Sequence, residues 1–224
     1  VARGRNAATL HYTVYERTAP RRAAESLLVD AGATFQGYAS DITRTWVRGS
    51  GATADTFRQL VDEVDRMQQR LCRAVQVGLP YEELHEQAHR QVVGILRTTG
   101  ILRQDVDPQA AGRISRAFFP HGLGHSLGVQ THDVGCALVK PKLDNPFLRN
   151  TSLISAGQVF TIEPGVYFIP ALMEDLRAGP YSAAIDWDLV AALADLGGVR
   201  IEDDLHVTGG AEVARNLTRA VLPG

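Results

Sequence analysis

An α+β domain is the architecture expected from this chain, and three features point to it. Short runs rich in β-branched and aromatic residues open the sequence and return late in it, at 26–47, 158–163 and 199–207. Two stretches with apolar residues at helical spacing lie between them, at 53–77 and 81–98. Strands, then helices, then strands describe layers packed around one core rather than alternating parallel units.

The first strand is read over Ser26–Gly32. It leads through Phe35-Gln36-Gly37 into a second strand, Tyr38–Val47, so the pair reads as a hairpin. A two-residue turn at Phe35-Gln36 would set Asp30 directly across from Asp41. From about Thr53 to Val77, Phe57, Leu60, Val61, Val64, Met67, Leu71 and Val75 form one apolar helical stripe. Thr53 is placed to cap that helix and Gly78-Leu79-Pro80 to stop it. A second helix runs from Tyr81 to Thr98, with Leu84, Ala88, Val92, Ile95 and Leu96 inward and Gly100 as terminator. Residues 118–150, dense in Gly, Pro and His, read as loops and short strands. Strands follow at Gln158–Glu163 and Val199–Val207, with a short helix between them at Asp186–Leu196.

Composition narrows the function. With 224 residues, 45% apolar and 21% charged, the chain is ordinary globular material, not a disordered, collagen-like or coiled-coil sequence. A fold of this size buries roughly 70% of its unfolded surface, enough for a core without disulfides. The 23 basic and 25 acidic residues leave a charge of −2 and no basic stripe, so nucleic acid is not an expected partner. No run approaches the roughly 18 apolar residues of a membrane helix. Two cysteines, Cys72 and Cys136, are too few for a disulfide scaffold, and no apolar leader follows Val1, so a cytoplasmic setting is expected.

Four carboxylates stand at strand positions where burial is expected: Asp30, Asp41, Glu163 and Glu202. A buried carboxylate needs a cation, a set of donors or a proton. Asp30 and Asp41 on one face would repel unless a metal lies between them or one keeps a proton. Arg200 shares a face with Glu202 by the period of two. Each carboxylate taken alone is readable as a rim residue or a salt bridge; four together are not. Three histidines, His121, His125 and His132, fall within twelve residues threaded by Gly122, Gly124 and Gly128, a composition suited to close backbone approach. The glycines argue against a helical zinc-protease motif, and their spacing is not that of a dinucleotide loop. No Gly-x-Ser-x-Gly is present, and a cysteine-protease role for Cys136 would leave the four carboxylates unexplained.

These residues resemble the metal-binding segments of the pita-bread metallopeptidases. Leu28–Gly32 with Gly37–Thr45 is similar to the family's first segment, and His121–Gly128 with His132-Asp133 to its histidine motif. Thr161–Tyr167 and Gly198–Asp203 are similar to the last two. Within the family the likeness runs to the branch of bacterial Xaa-Pro dipeptidases (prolidases) and organophosphorus acid anhydrolases, on Asn6–Thr13, on Leu148-Arg149 and on the long stretch from Glu163 to Glu202. The resemblance covers nearly the whole chain. It implies a curved, mostly antiparallel sheet covered by helices, and one catalytic domain over 1–224. The family's separate N-terminal domain and the first part of the catalytic fold would lie outside it.

Four carboxylates and an imidazole suit hard or borderline divalent ions. The resemblance implies two of them, Mn2+ foremost with Co2+ or Zn2+ as alternatives. Asp30 would bind one, His125 and Glu163 the other, with Asp41 and Glu202 bridging. It further implies a metal-bridging hydroxide as nucleophile, Glu163 as proton shuttle, and His132 and His121 as stabilisers of the oxyanion. Arg149 would anchor the carboxylate of a small dipeptide ending in proline, Arg200 would support a neighbouring carboxylate, and His11 would line the pocket. Plainer roles stand beside these: His121 as a hydrogen-bonded core residue, Arg149 as a surface arginine. Aminopeptidase P-like or organophosphorus acid anhydrolase activity is the nearest rival, and a truncated fragment or non-catalytic binding module on the same fold is the rival of another class. A homodimer is the assembly that the resemblance implies.

Overall fold

A computed structural model describes residues 1–14, 24–103, 105–210 and 213–222. Its elements run β1 (Ala2–Arg3), β2 (Ala24–Ala31), β3 (Thr34–Phe35), β4 (Tyr38–Ala39), β5 (Ile42–Gly49), α1 (Ala52–Arg73), α2 (Tyr81–Thr98) and α3 (Pro108–Phe118). Then come β6 (Val159–Ile162), β7 (Gly165–Tyr167), α4 (Pro170–Ala178), α5 (Trp187–Ala194), β8 (Gly198–Arg200), β9 (Asp203–Val207) and β10 (Ala214–Asn216). All pairings between these strands are antiparallel, in the orders β1-β2-β5, β3-β4, β7-β8 and β10-β9-β6. A bridge between Thr43 and Glu202 joins the early strands to the late ones.

The hairpin forms, but its register differs from the expected one. The turn falls at Gln36-Gly37, whose φ values of 50° and 86° give the left-handed pair that matches strand twist. Asp30 therefore faces Thr43, and Asp41 precedes β5 instead of lying inside it. The shift is by two positions, so the pleat keeps Asp30 and Asp41 on one face, as diagonal neighbours.

Helix α1 buries Phe57, Leu60, Val64, Met67 and Leu71 as the stripe requires. It begins behind Gly51, with Thr53 inside its first turn, and stops at Arg73, short of Val77. Its end is tightened by i→i−3 bonds, Ala74 N–H to Leu71 O and Val75 N–H to Cys72 O, and beyond it Gly78 N–H bonds Ile154 O at 2.8 Å. Helix α2 has the expected limits, and its inward residues are buried in the same core cluster. Two helices were not anticipated. Asp107 caps α3, accepting from Ala110 N–H at 2.9 Å with Pro108 in the first turn, and Pro170 opens α4. The expected strand Val199–Val207 is broken at Ile201-Glu202, so that β8 pairs with β7 and β9 with β6.

On α2, His85 and His89 lie buried with their Nε2 atoms 3.2 Å apart, and Nδ1 of each finds no hydrogen-bond partner among the described residues. Burial depresses both, His85 to about 4 and His89 to about 2, with the neighbouring His85 and Arg116 lowering His89 further. The unfolded chain thus takes up protons here from about pH 6.5 downward while the folded chain does not. Stability is fully present above that pH and falls as pH drops towards the folded values, by about 1.4 kcal/mol per pH unit for each ring. Thermal melts between pH 7.5 and 5 should show His89→Leu flattening this slope; an unchanged slope would contradict the burial of a neutral pair.

Candidate metal centre and active site

Strand register assembles the site. Asp30 pairs with Thr43, and Thr43 bridges to Glu202. The register of β6 on β9 (Ile162 with Asp203) and of β7 on β8 (Gly165 with Arg200) continues across the gap to set Glu163 opposite Glu202. Pro164 has no N–H to complete the ladder at that gap, so the pairing opens where the two glutamates stand. Asp30, Thr43, Glu202 and Glu163 thus form one transverse row, on one face of the curved surface, with Asp41 diagonal to it. The segment 123–127 lies along the far side of β6, where Leu123 O accepts from Glu163 N–H (2.8 Å) and His125 O from Thr161 N–H (3.0 Å), and this brings His125 over the row.

His125 Nδ1 sits 3.0 Å from Ser126 O, which makes Nδ1 the protonated nitrogen and turns the Nε2 lone pair to the carboxylates. Nε2 lies 3.4 Å from Asp41 Oδ2, 3.5 Å from Glu163 Oε1 and 3.9 Å from Glu202 Oε1. Possible ligand atoms of Asp30, Asp41 and Glu202 fall within 4.8 Å of one another, as do those of His125, Glu163 and Glu202, and those of Asp41, His125 and His132. All five expected ligands therefore meet.

The charge balance within the cluster calls for cations. Burial, then Glu163 and Asp41, push Glu202 well above the glutamate range. Burial raises Glu163 to about 7, against the pull of His125 and Arg200. Asp30 is raised by burial in spite of Arg200, whose Nη2 donates to its Oδ2 at 2.5 Å. Burial also pushes Asp41 up, but His125 outweighs it and holds this carboxyl low. Three carboxyls pushed towards their protonated forms by burial, and further by one another's charge, fit divalent cations, which would offset the lost hydration and remove the mutual repulsion.

Above the row lies a cavity of about 550 Å³, lined by all ten residues expected at the site, including His11, His121, His132, Arg149 and Arg200. Its lining also includes the apolar side chains of Leu10, Phe147, Ile169 and Leu172. His132 and Arg149 are exposed at the mouth, and His132 packs edge-on to His125 with ring centres 4.3 Å apart. Burial, then His125 and Arg149, lower His132 to about 4, so it is neutral at pH 7. His121 is bonded at both nitrogens, to Gly122 O (2.8 Å) and to the Tyr167 hydroxyl (2.9 Å), as its plainer reading describes. Burial lowers it to about 3.

Several partners escaped the sequence reading. Tyr167 also accepts from Arg200 Nη1 at 3.1 Å. Thr43 donates to Glu202 Oε2 at 2.6 Å and accepts from Arg200 Nε at 3.2 Å. The carboxylate of Asp204 accepts from Asp41 N–H at 3.2 Å. Thr43 and Asp204 each stand two residues from a ligand, on the ligand's face by strand period, and that position was the available signal.

The chain matches the family described as metallopeptidase family M24 over residues 1–209. It is 43% identical over 230 residues to a Xaa-Pro dipeptidase of Xanthomonas campestris pv. campestris, covering 99% of this chain and 51% of that protein. It is 44% identical to a Xaa-Pro dipeptidase of Marinobacter nauticus, covering 96% of this chain and 49% of that one. Among solved structures, zinc-substituted Escherichia coli aminopeptidase P in complex with product aligns with a TM-score of 0.73 at 31% identity, over 99% of this chain and 44% of that chain. Proline aminopeptidase P II from Yersinia pestis aligns at 0.72 and 29%, with the same coverage. The chain spans about half the length of the curated relatives it matches. The α+β pita-bread expectation is borne out.

Proposed function

Since this chain belongs to metallopeptidase family M24, we propose that it carries the catalytic domain of a metal-dependent dipeptidase that hydrolyses Xaa-Pro dipeptides. The observation behind this reading is the meeting of Asp30, Asp41, His125, Glu163 and Glu202 at a cavity lined in part by apolar side chains and by the exposed Arg149. The relatives named Xaa-Pro dipeptidase support the substrate class. Asp30 would hold one divalent ion, His125 and Glu163 a second, with Asp41 and Glu202 shared; Mn2+ is the first choice, Co2+ or Zn2+ the alternatives. Bound there, such ions acidify water and polarise the scissile carbonyl.

The side chains supply the remainder. Glu163 takes a proton from the attacking water at a carboxylate oxygen and delivers it to the proline nitrogen as the C–N bond breaks. His132, a neutral imidazole, donates to the developing oxyanion. His121, which lines the same cavity, is the second stabiliser of that oxygen. Arg149 receives the proline carboxylate, while Arg200 steadies Asp30 and His11 closes the side of the cavity beside His132. The cytoplasmic setting belongs to the same proposal, supported by the free thiols of Cys72 and Cys136, as does a homodimer. Among the described residues, no helix is long and apolar enough to cross a membrane.

The solved neighbours favour one second reading, an aminopeptidase P-type enzyme acting on longer peptides. Proline release from Leu-Pro, with and without Mn2+, beside cleavage of a Leu-Pro-containing tripeptide separates the two. Metal-dependent release from the dipeptide, abolished by a chelator, is expected. Cleavage of the tripeptide alone would transfer the assignment to the second reading, and cleavage of neither would overturn both.

A further inference from the structure

We propose that Asn145, clamped between α2 and α3, is the positioning residue that sets Arg149 at the mouth of the cavity; this rests on Arg149 as the carboxylate anchor. Residues 137–150 contain no helix or strand, and Leu138, Val139, Leu143 and Phe147 are all exposed. Of the large apolar side chains along this stretch only Leu148 is buried, so apolar burial anchors its end and does little for the residues before it. Asn145, in its midst, is only 4% exposed, and its whole side-chain amide is engaged. Nδ2 donates to Glu86 Oε1 at 2.7 Å and to Glu82 Oε1 at 3.2 Å, both on α2. Oδ1 accepts from Arg116 Nη2 of α3 at 2.9 Å, and the same nitrogen donates to Glu86 Oε1 at 2.8 Å. Arg116 Nε adds a bond to Asp144 O at 2.9 Å.

What the clamp holds is a tight turn leading into Arg149. Leu148 N–H donates to Asn145 O at 3.0 Å across Pro146 and Phe147, and Leu148 drops into the core. The following backbone lies against Gly122, beside His121, and Arg149 emerges into the cavity. A guanidinium carried on an otherwise loose loop would have to be ordered at each binding event, which lowers affinity. A buried amide with every polar atom bonded does that ordering in advance.

The test uses the Mn2+-loaded chain with Leu-Pro and Leu-prolinamide, which lacks the carboxylate. Asn145→Ala should raise KM for Leu-Pro about tenfold with kcat nearly unchanged. KM for Leu-prolinamide and the bound-metal content should stay the same. Added to Arg149→Gln it should cause no further loss, because both act on one contact. Arg116→Gln, which removes a partner of Asn145 from outside the loop, should shift KM the same way and serves if Asn145→Ala does not fold. Equal losses on both substrates, or additive effects in the double variant, would overturn the proposal. So would wild-type protein that binds the two ligands alike in calorimetry. Failure of the peptidase reading looks different: no proline release from protein that still prefers the carboxylate ligand.

Discussion

Glu202→Ala is expected to cut peptide hydrolysis by about three orders of magnitude and to leave the chain short of its full complement of divalent ions. Glu202 is 2% exposed and stands at the centre of the transverse row, between Thr43 and Glu163, within reach of both halves of the ligand set. Metal analysis of the purified variant checks this; two ions retained at wild-type affinity would remove Glu202 from the shared position. The same residue makes an opposite prediction for metal-free protein. Burial, Glu163 and Asp41 raise its pKa, so at neutral pH its ionised form opposes folding, and that opposition grows as pH rises. The uncharged isostere Glu202→Gln should therefore raise Tm without metal while shrinking the further rise on adding Mn2+.

Gly124→Ala is expected to destabilise the fold by about 3 kcal/mol or more, lowering Tm by roughly 10 °C, and to abolish activity. A Cβ there would run into the carbonyl oxygen of Thr161 and the hydroxyl of Tyr81. Neither gives way easily: Tyr81 is fully buried, and its hydroxyl donates to that same carbonyl at 2.7 Å. Relief requires moving the 123–127 backbone off β6, and His125 moves with it. Gly94, in the exposed face of α2, has nothing within 4 Å of an added Cβ. Gly94→Ala should raise stability by about 0.5–1 kcal/mol, which makes the pair a controlled comparison by calorimetry.

The cluster of proposed ligands was legible because its anomaly is local: a carboxylate at the end of Leu27-Leu28-Val29 or Phe160-Thr161-Ile162 has to be accounted for whatever the rest of the chain does. The helical stripes of α1 and α2 were legible for the same reason. Register was not. Gln36-Gly37 is a weaker hairpin signal than Asn-Gly, and placing the turn one residue early shifts the pairing by two, putting Asp41 where Thr43 stands opposite Asp30 while leaving the face correct. The opposition of Glu163 and Glu202 depends on how two strand pairs align across a proline, which no window of sequence contains. Asp107-Pro108 and Ile169-Pro170 did mark the starts of α3 and α4, but their apolar repeats, Ala110, Ile114 and Phe118 on one and Met173 and Leu176 on the other, are far shorter than those of the longer helices. Tyr167 and Asn145 take their meaning from contacts made far along the chain.

The bridge from Thr43 to Glu202 also bears on the order of events in folding. The two residues stand 159 positions apart, whereas the β2–β5 hairpin and the α1–α2 pair close over short loops. Contacts of such long range form after local ones, because the entropy of closing the loop must be met before the contact returns anything. The carboxylates therefore converge last, bringing like charges together at the step that completes the sheet. A divalent ion can reward only that final step, since none of the earlier pieces holds enough ligands to retain it. Metal availability should govern how long the finished protein persists far more than how quickly its hairpin and helices appear.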